Sequence, residues 1–161
     1  MEIRRAAKAI ITARDNDNLI LLVASRSRLS LPGGGINRKE KPAAALAREL
    51  NEEVLVQTDP DEELEGLSRY ITEPIELFEV EGIVTPRKGP PRLAQWIVSR
   101  ARLLVPAEQL VLPGTQEIRG HSMLPPVEYI AYPEKEASFL AQTAVAQEFG
   151  LELPASVTRP Y

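Results

Sequence analysis

The stretch that decides the fold is LPGGGINRKEKPAAALARELNEEVLVQ, residues 31–57. It joins a glycine-rich turn to a run of good helix formers, and its proline at position 42 suits the first turn of a helix. We expect that helix to run from residue 42 to about residue 54. It carries three acids on one arc: Glu49, Glu52 and Glu53. Carboxylates at this spacing repel one another, so a positive charge should lie close by.

A second arc of the same helix is apolar and is the expected core contact. It comprises Ala43, Leu46, Ala47, Leu50 and Val54. The arc of glutamates, which Ala45 shares, contains too few cations for an ordinary solvated face. Arg48 can pair with Glu52 four residues on, but not with the whole acidic group. A bound divalent cation such as Mg²⁺, which prefers carboxylate and carbonyl oxygens, would remove the repulsion better.

Hydrophobic patterning outside this stretch predicts a mixed α+β chain. Strands are expected at 3–13 and 19–25 around a hairpin turn at 14–18, and again at 75–84 and 94–105. The region 106–126 should be irregular apart from a short strand or turn. A last helix is expected over 134–149, ending at Gly150, with a loose tail from about 151. The chain is read as one domain of 161 residues.

Composition narrows the classes of function. Apolar residues form 43% and charged residues 26% of the chain, as in ordinary globular proteins. The net charge of −4 argues against binding to nucleic acid or to an anionic membrane. The absence of cysteine removes thiolate chemistry and is in keeping with a cytoplasmic protein. A small phosphorylated ligand, held by a local basic patch, stays possible.

The spacing of the glycine turn and the acidic helix resembles the signature of the Nudix hydrolases, G-x5-E-x7-R-E-U-x-E-E-x-G-U, where U is apolar. The residues that match it are Gly34, Glu40, Arg48, Glu49, Leu50, Glu52, Glu53 and Val56. Leu55 stands where the family usually has a glycine, which would let the helix end in a left-handed turn. Asn37 and Lys39 replace an acid and a glycine that many relatives carry.

The resemblance implies an α/β/α sandwich and a hydrolase of nucleoside diphosphates linked to another moiety. It also implies Mg²⁺ or Mn²⁺, bound by Glu49, Glu52 and Glu53 with the carbonyl of Gly33. By the same resemblance Arg48 orients the carboxylates and Glu40 supports them. Hydrolysis needs a base, for which the candidates are Glu49, Glu52 and an acid from a later loop, Glu117.

Residues that would contact the substrate are harder to choose. Arg26 and Arg28 precede the glycine turn and are candidates for binding phosphate, beside Gly34; ordinary exposed arginines are an equal alternative. Trp96 and Tyr70 are the stacking candidates, although Trp96 lies in an apolar strand and is better explained as core.

Three alternatives to a nucleotide pyrophosphohydrolase remain open. One is a Nudix-fold module that binds a nucleotide or sugar without cleaving it, and another is an interaction domain with a solvated acidic helix. The third is removal of a 5′ pyrophosphate from RNA, against which the acidic balance argues. Many relatives form dimers, which leaves a homodimer open without deciding the oligomeric state.

Overall fold

The computed structural model describes residues 1–25, 28–86, 88–114 and 118–154. The strands are β1 (Ile3–Ala13), β2 (Asn16–Ser25), β3 (Arg28–Ser30), β4 (Gly33–Gly35), β5 (Leu55–Val56), β6 (Glu65–Gly66), β7 (Ile75–Val84), β8 (Arg92–Arg102), β9 (Leu110–Val111) and β10 (Ile118–Leu124). The α-helices are α1 (Pro42–Glu53), α2 (Pro126–Tyr129) and α3 (Phe139–Phe149), with 3-10 turns at Leu67–Tyr70 and Ala107–Gln109.

A seven-stranded mixed sheet forms the centre of the molecule. Its main order is β10-β2-β1-β8-β7, while β3 pairs with β2 and β4 pairs with β1. Strands β1 and β8 run parallel, in register from Ile3 opposite Leu93 to Thr12 opposite Arg102. A small separate sheet has the order β6-β5-β9. The described residues include no helix of the length and apolarity that a membrane crossing requires.

Alternation along the central strands divides the core into two layers. Successive side chains of a strand point to opposite faces, so odd and even positions of β1 and β2 meet different helices. One core cluster joins α1 to Ala7, Ala9, Ile11, Leu21 and Val23. The other joins α3 to Ile10, Ile20, Leu22, Ala94 and Val98. The sheet is thus covered on both faces, which confirms the predicted α/β/α sandwich.

The hairpin and the central helix agree with the sequence prediction in most respects. The first turn is shorter than expected, because β2 already begins at Asn16, opposite Ala13. Strand β7 and the extent of α1 are confirmed. The predicted apolar arc of α1 was wrong at one position: Ala43 is exposed, whereas Ala45 is fully buried. The buried stripe is shifted toward the glutamates because β4 also packs against α1.

The last helix begins later than predicted, at Phe139 instead of residue 134. Residues before it are held by β3: Leu29 N–H donates to the Glu136 carbonyl at 2.8 Å, and Ser138 N–H donates to the Leu29 carbonyl at 3.1 Å. These bonds keep the segment extended, so the helix starts only after Ser138, whose side chain caps it. The predicted end at Gly150 is confirmed, with φ at 63°.

Two further segments differ from simple expectation. The region 106–126 contains the seven-residue strand β10, which pairs with β2 although its sequence has little apolar alternation. After α1, Val54 is already extended at φ −138°, and Leu55 enters β5 directly. A left-handed turn is therefore not used at this helix end. Leucine fits because the position is a strand residue.

We expect Leu50→Ala to lower the free energy of unfolding by about 2–5 kcal/mol, because Leu50 is fully buried between α1 and the sheet. Leu104→Ala is the matched control, since Leu104 is 52% exposed, and should stay within about 0.5 kcal/mol of wild type. Urea unfolding at neutral pH measures both. Equal losses in the two variants would contradict the assignment of this core layer.

Candidate active site

The glycine strand β4 lies between β1 and the acidic helix α1, and its lack of side chains makes that approach possible. A Cβ at Gly33, whose φ is 122°, would overlap the carbonyl of Ala7 and lie 2.8 Å from the Cα of Lys8. A Cβ at Gly34 would lie 2.5 Å from the carboxyl carbon of Glu49. Gly33 N–H donates to Glu53 Oε1 at 2.6 Å. The glycines therefore bring the turn of the predicted box directly against its glutamates.

Arg48 is the charge that compensates the acidic cluster. It binds Glu40 through two bonds, Nε to Oε2 and Nη2 to Oε1, each of 2.9 Å. Its Nη1 lies 2.9 Å from Glu49 Oε1 and 3.5 Å from Glu52 Oε1. Nη2 also donates to the carbonyl of Gly35 at 2.9 Å. Arg48 thus pairs with more acids than the helical spacing alone suggested, and it ties α1 to the glycine strand.

The pairing with Arg48 changes the acidity of Glu40. The hydrogen bonds from Arg48, helped by the backbone N–H of Asn37, lower the pKa of Glu40 to about 2. The same bonds, together with the one to Glu49, raise the pKa of Arg48 above its ordinary value. Glu40 therefore stays ionised throughout the neutral range, as a fixed partner of Arg48.

Lys8 is a member of the site that the sequence analysis missed. Its Nζ donates to the Gly33 carbonyl at 3.0 Å and lies 3.4 Å from the Leu31 carbonyl oxygen. It also stands 4.8 Å from the centre of the Trp96 ring. Burial lowers the pKa of Lys8, while the charges of Glu53 and Glu49 oppose that shift. The available signal was a lysine flanked on both sides by apolar residues of β1, in the run AAKAII at 6–11.

These groups face a common space, which we call the carboxylate cavity. It has a volume of about 530 Å³. Its lining includes Lys8, Gly33, Gly34, Glu49, Glu52 and Glu53. Glu53 is almost buried, at 9% exposure, whereas the Glu52 side chain is 59% exposed. The cavity thus combines carboxylates of different exposure with backbone carbonyls.

The donor set of the carboxylate cavity fits a hard divalent cation, because carboxylate and carbonyl oxygens are the ligands that Mg²⁺ prefers. In the ranges that the structure describes, no three acidic or histidine side chains converge closely enough to form a ready metal cluster. The reason lies in their present partners: Arg48 holds Glu49 and Glu52, and Gly33 N–H holds Glu53.

The other candidates from the sequence are placed differently. Arg26 and Glu117 lie outside the described residues. Arg28 is exposed on β3 and does not line the carboxylate cavity. Trp96 is half-buried against the α3 core layer, in keeping with the core interpretation. Tyr70 packs against the α1 layer, and its hydroxyl lies 3.1 Å from Glu65 Oε2.

One protein family combines a mixed sheet with a glycine strand and arginine-bound glutamates of this kind. The family model of the NUDIX domain matches residues 2–142, and the chain belongs to that family. A search of curated protein sequences finds no match.

Solved structures of the same fold support this assignment. The MutT protein from Methanosarcina mazei Go1 is 15% identical, with a TM-score of 0.64, covering 91% of this chain and 92% of that chain. The dihydroneopterin triphosphate pyrophosphohydrolase of E. coli is 18% identical, with a TM-score of 0.62 and coverages of 91% and 97%. A C. elegans Ap4A hydrolase is 15% identical, with a TM-score of 0.58 and coverages of 91% and 95%. At these identities the likeness is one of fold.

Alanine substitutions at the three consecutive glycines should lower the free energy of unfolding to different extents. Gly33→Ala should lower the free energy of unfolding by at least about 2 kcal/mol, because the backbone of β1 cannot give way and φ is positive. Gly34→Ala should cost less stability, since it meets the flexible end of Glu49, but it should displace that carboxylate. Gly35→Ala meets nothing within 4 Å and is the control. Urea unfolding of the three variants would contradict this account if all three lost the same stability.

The pair of Glu40 and Arg48 should contribute to the pH dependence of stability. The folded-state pKa of about 2 lies below the ordinary 4.5, so the pair stabilises the folded protein fully above pH 4.5. That contribution is lost as the pH falls from 4.5 toward 2. The difference in unfolding free energy between wild type and Glu40→Gln should therefore shrink over this range.

Denaturant unfolding at several pH values measures that difference. The control is the same comparison in an Arg48→Met background, where the main cause of the pKa shift is gone and the pH dependence of the difference should largely disappear. A difference that is independent of pH with Arg48 present would refute the assignment.

Proposed function

We propose that the protein is a metal-dependent Nudix pyrophosphohydrolase that cleaves a phosphoanhydride bond in a nucleoside diphosphate linked to another moiety. The observation that carries this proposal is that Glu49, Glu52 and Glu53 line one cavity beside the glycine strand. Arg48 binds Glu49, and Gly33 N–H binds Glu53. The similar folds of a dihydroneopterin triphosphate pyrophosphohydrolase and an Ap4A hydrolase support the class of reaction.

The cofactor in this proposal is Mg²⁺ or Mn²⁺, held by Glu49, Glu52 and Glu53 together with the Gly33 carbonyl. A divalent ion supplies charge neutralisation for the phosphates and lowers the pKa of a bound water. The carbonyl of Gly33 has two lone pairs, and Lys8 occupies one of them at 3.0 Å. The second lone pair remains for a ligand, and Lys8 fixes the direction in which the carbonyl points.

The remaining tasks fall to residues of the chain itself. Arg48 holds Glu49 and Glu52 in the cavity, and Glu40 holds Arg48 in place. The base that takes the proton from water is Glu49, Glu52 or Glu117. Of the two that the structure describes, Glu52 is the more exposed and has the longer contact to Arg48. The longer contact and the greater exposure leave Glu52 better placed to accept a hydrogen bond from water, which favours Glu52.

Substrate phosphates would approach the cavity across Gly34, where the absence of a side chain leaves the backbone open. Arg26 and Arg28, which precede the glycine strand in the sequence, are the proposed phosphate contacts. Hydrolysis of the anhydride gives two phosphorylated products, one of which is a nucleotide.

The direct test is turnover of a panel of nucleotides and nucleotide sugars in Mg²⁺ or Mn²⁺. We expect hydrolysis of at least one panel member, and a loss in kcat/KM of roughly 100-fold or more in Glu53→Gln, whose carboxylate lines the cavity. Glu63→Gln, on an exposed loop, is the control and should keep full activity. Ligand binding that is independent of metal, without any product, would contradict the proposal and favour a binding module.

The same panel can assign the base. Glu49→Gln, Glu52→Gln and Glu117→Gln should be compared at saturating Mn²⁺. The variant of the base should lose kcat while the affinity for Mn²⁺ changes little, whereas the variant of a ligand should lose Mn²⁺ affinity as well.

A further inference from the structure

A second and larger cavity, of about 720 Å³, lies beside the glycine strand. Five of its lining residues carry positive charge: Arg4, Arg5, Arg38, Lys39 and Arg92. The acid in its lining is Glu40, whose carboxylate is bound by Arg48. We call this space the basic cavity. The net charge of −4 for the whole chain gives no sign of this local cluster of cations.

The topology gathers these cations from three separated segments. Arg4 and Arg5 belong to the start of β1, Arg92 opens β8, and the loop between β4 and α1 supplies the other two. Parallel pairing places Arg4 opposite Ala94, and Gly35 of β4 pairs with Ala6. The cavity is thus formed where the ends of three strands meet.

Among the residues that the structure describes, most of these cations have no ion-pair partner. Arg4 binds Glu2 at 2.9 Å, but within the described part of the chain no ion pair involves the other four. Like charges gathered without compensating acids repel one another. An ordinary solvated surface mixes the two signs. The basic cavity therefore calls for an anion.

The backbone at Lys39 gives a second, independent reason to see function here. Its φ is 68°, and among the described residues it is the one residue other than glycine with a positive φ. A glycine would adopt this conformation without strain, whereas a side chain is strained in it. The chain nevertheless has a lysine at this position. Strain of this kind marks places where a side chain is kept for a purpose other than stability.

The basic cavity adjoins the carboxylate cavity. Gly35 lines both of them. Trp96 lines the basic cavity, and its ring is 4.8 Å from the ammonium of Lys8, which lines the carboxylate cavity. The two cavities therefore border each other at Gly35.

We propose that the basic cavity is an anion subsite for clustered phosphate groups that the substrate carries in addition to the anhydride cleaved at the glutamates. The substrate class is accordingly a multiply phosphorylated small molecule. This inference rests on the proposed function for the reaction at the glutamates, but not for the binding of phosphate groups. Arg5, Arg38, Lys39 and Arg92 are the residues that bind the additional phosphates.

The first experiment measures binding without turnover. Inorganic tripolyphosphate is titrated into the full chain by calorimetry, in EDTA and without divalent metal. Arg92→Gln should weaken binding about tenfold, the loss expected for a charged hydrogen bond. Arg102→Gln is the matched control, at the opposite end of β8 and paired with Asp17, and should change affinity less than about twofold. Equal effects of the two substitutions, or no binding by wild type, would overturn the proposal.

A second variant guards against a loss of folding. Lys39→Gly should raise the melting temperature, because the strain at φ 68° is relieved, and at the same time weaken tripolyphosphate binding. A variant that had merely lost its fold would have a lower melting temperature, so it cannot produce both changes. Unchanged affinity in Lys39→Gly would overturn the assignment of this loop to the subsite.

Competition and kinetics connect the subsite to the reaction. ATP should displace tripolyphosphate, and its failure to compete would overturn the proposal. Where turnover is found, Arg92→Gln should raise KM about tenfold more for substrates with additional phosphates than for substrates with the anhydride alone. An equal rise in KM for both kinds of substrate would overturn the proposal. Because the calorimetry needs no hydrolysis, a failure of the proposed activity leaves its result intact, and the reverse also holds.

Discussion

The close contact between the glycine strand β4 and its two neighbours is the constraint on which the site depends. Gly33 lies against β1 so tightly that a Cβ would overlap the backbone, and its N–H holds Glu53 at 2.6 Å. Main-chain groups are rigid, so they orient a carboxylate at a lower entropic cost than flexible side chains would. The same contact places the Gly33 carbonyl within reach of Lys8. A strand without side chains thus sets both the width and the polarity of the site.

Arg48 solves the electrostatic problem that this packing creates. Glutamates crowded on α1 would repel, but a planar guanidinium can bind several carboxylates at once, with two bonds to Glu40 and others to Glu49 and Glu52. A lysine has no comparable fork of donors. The Gly35 carbonyl accepts from the same group, so the charge network and the strand support each other.

Local patterns were sufficient for much of this structure. The extent of α1, the strand β7 and the end of α3 at Gly150 follow from helix formers, β-branched runs and a glycine cap, and the box spacing identified the family. The delayed start of α3 did not follow, because bonds between Leu29 and distant residues decide it. Lys8 and the basic cavity were equally inaccessible, since only β-sheet pairing shows which residues meet. Net charge is an average, and it hid a local concentration of cations.

The parallel pairing of β1 with β8 also bears on how the chain reaches its native state. Strand β1 comes first in the sequence but lies in the middle of the sheet, and its parallel neighbour β8 reaches residue 102. Contacts between such distant segments close late and slow the search for the native topology. During synthesis, β1 and its hairpin partner β2 leave the ribosome before β8. One edge of β1 therefore lacks its hydrogen-bonding partner until β8 has emerged. The parallel pairing that brings the start of β8 beside the start of β1 thus leaves an interval in which a nascent chain is exposed to mispairing.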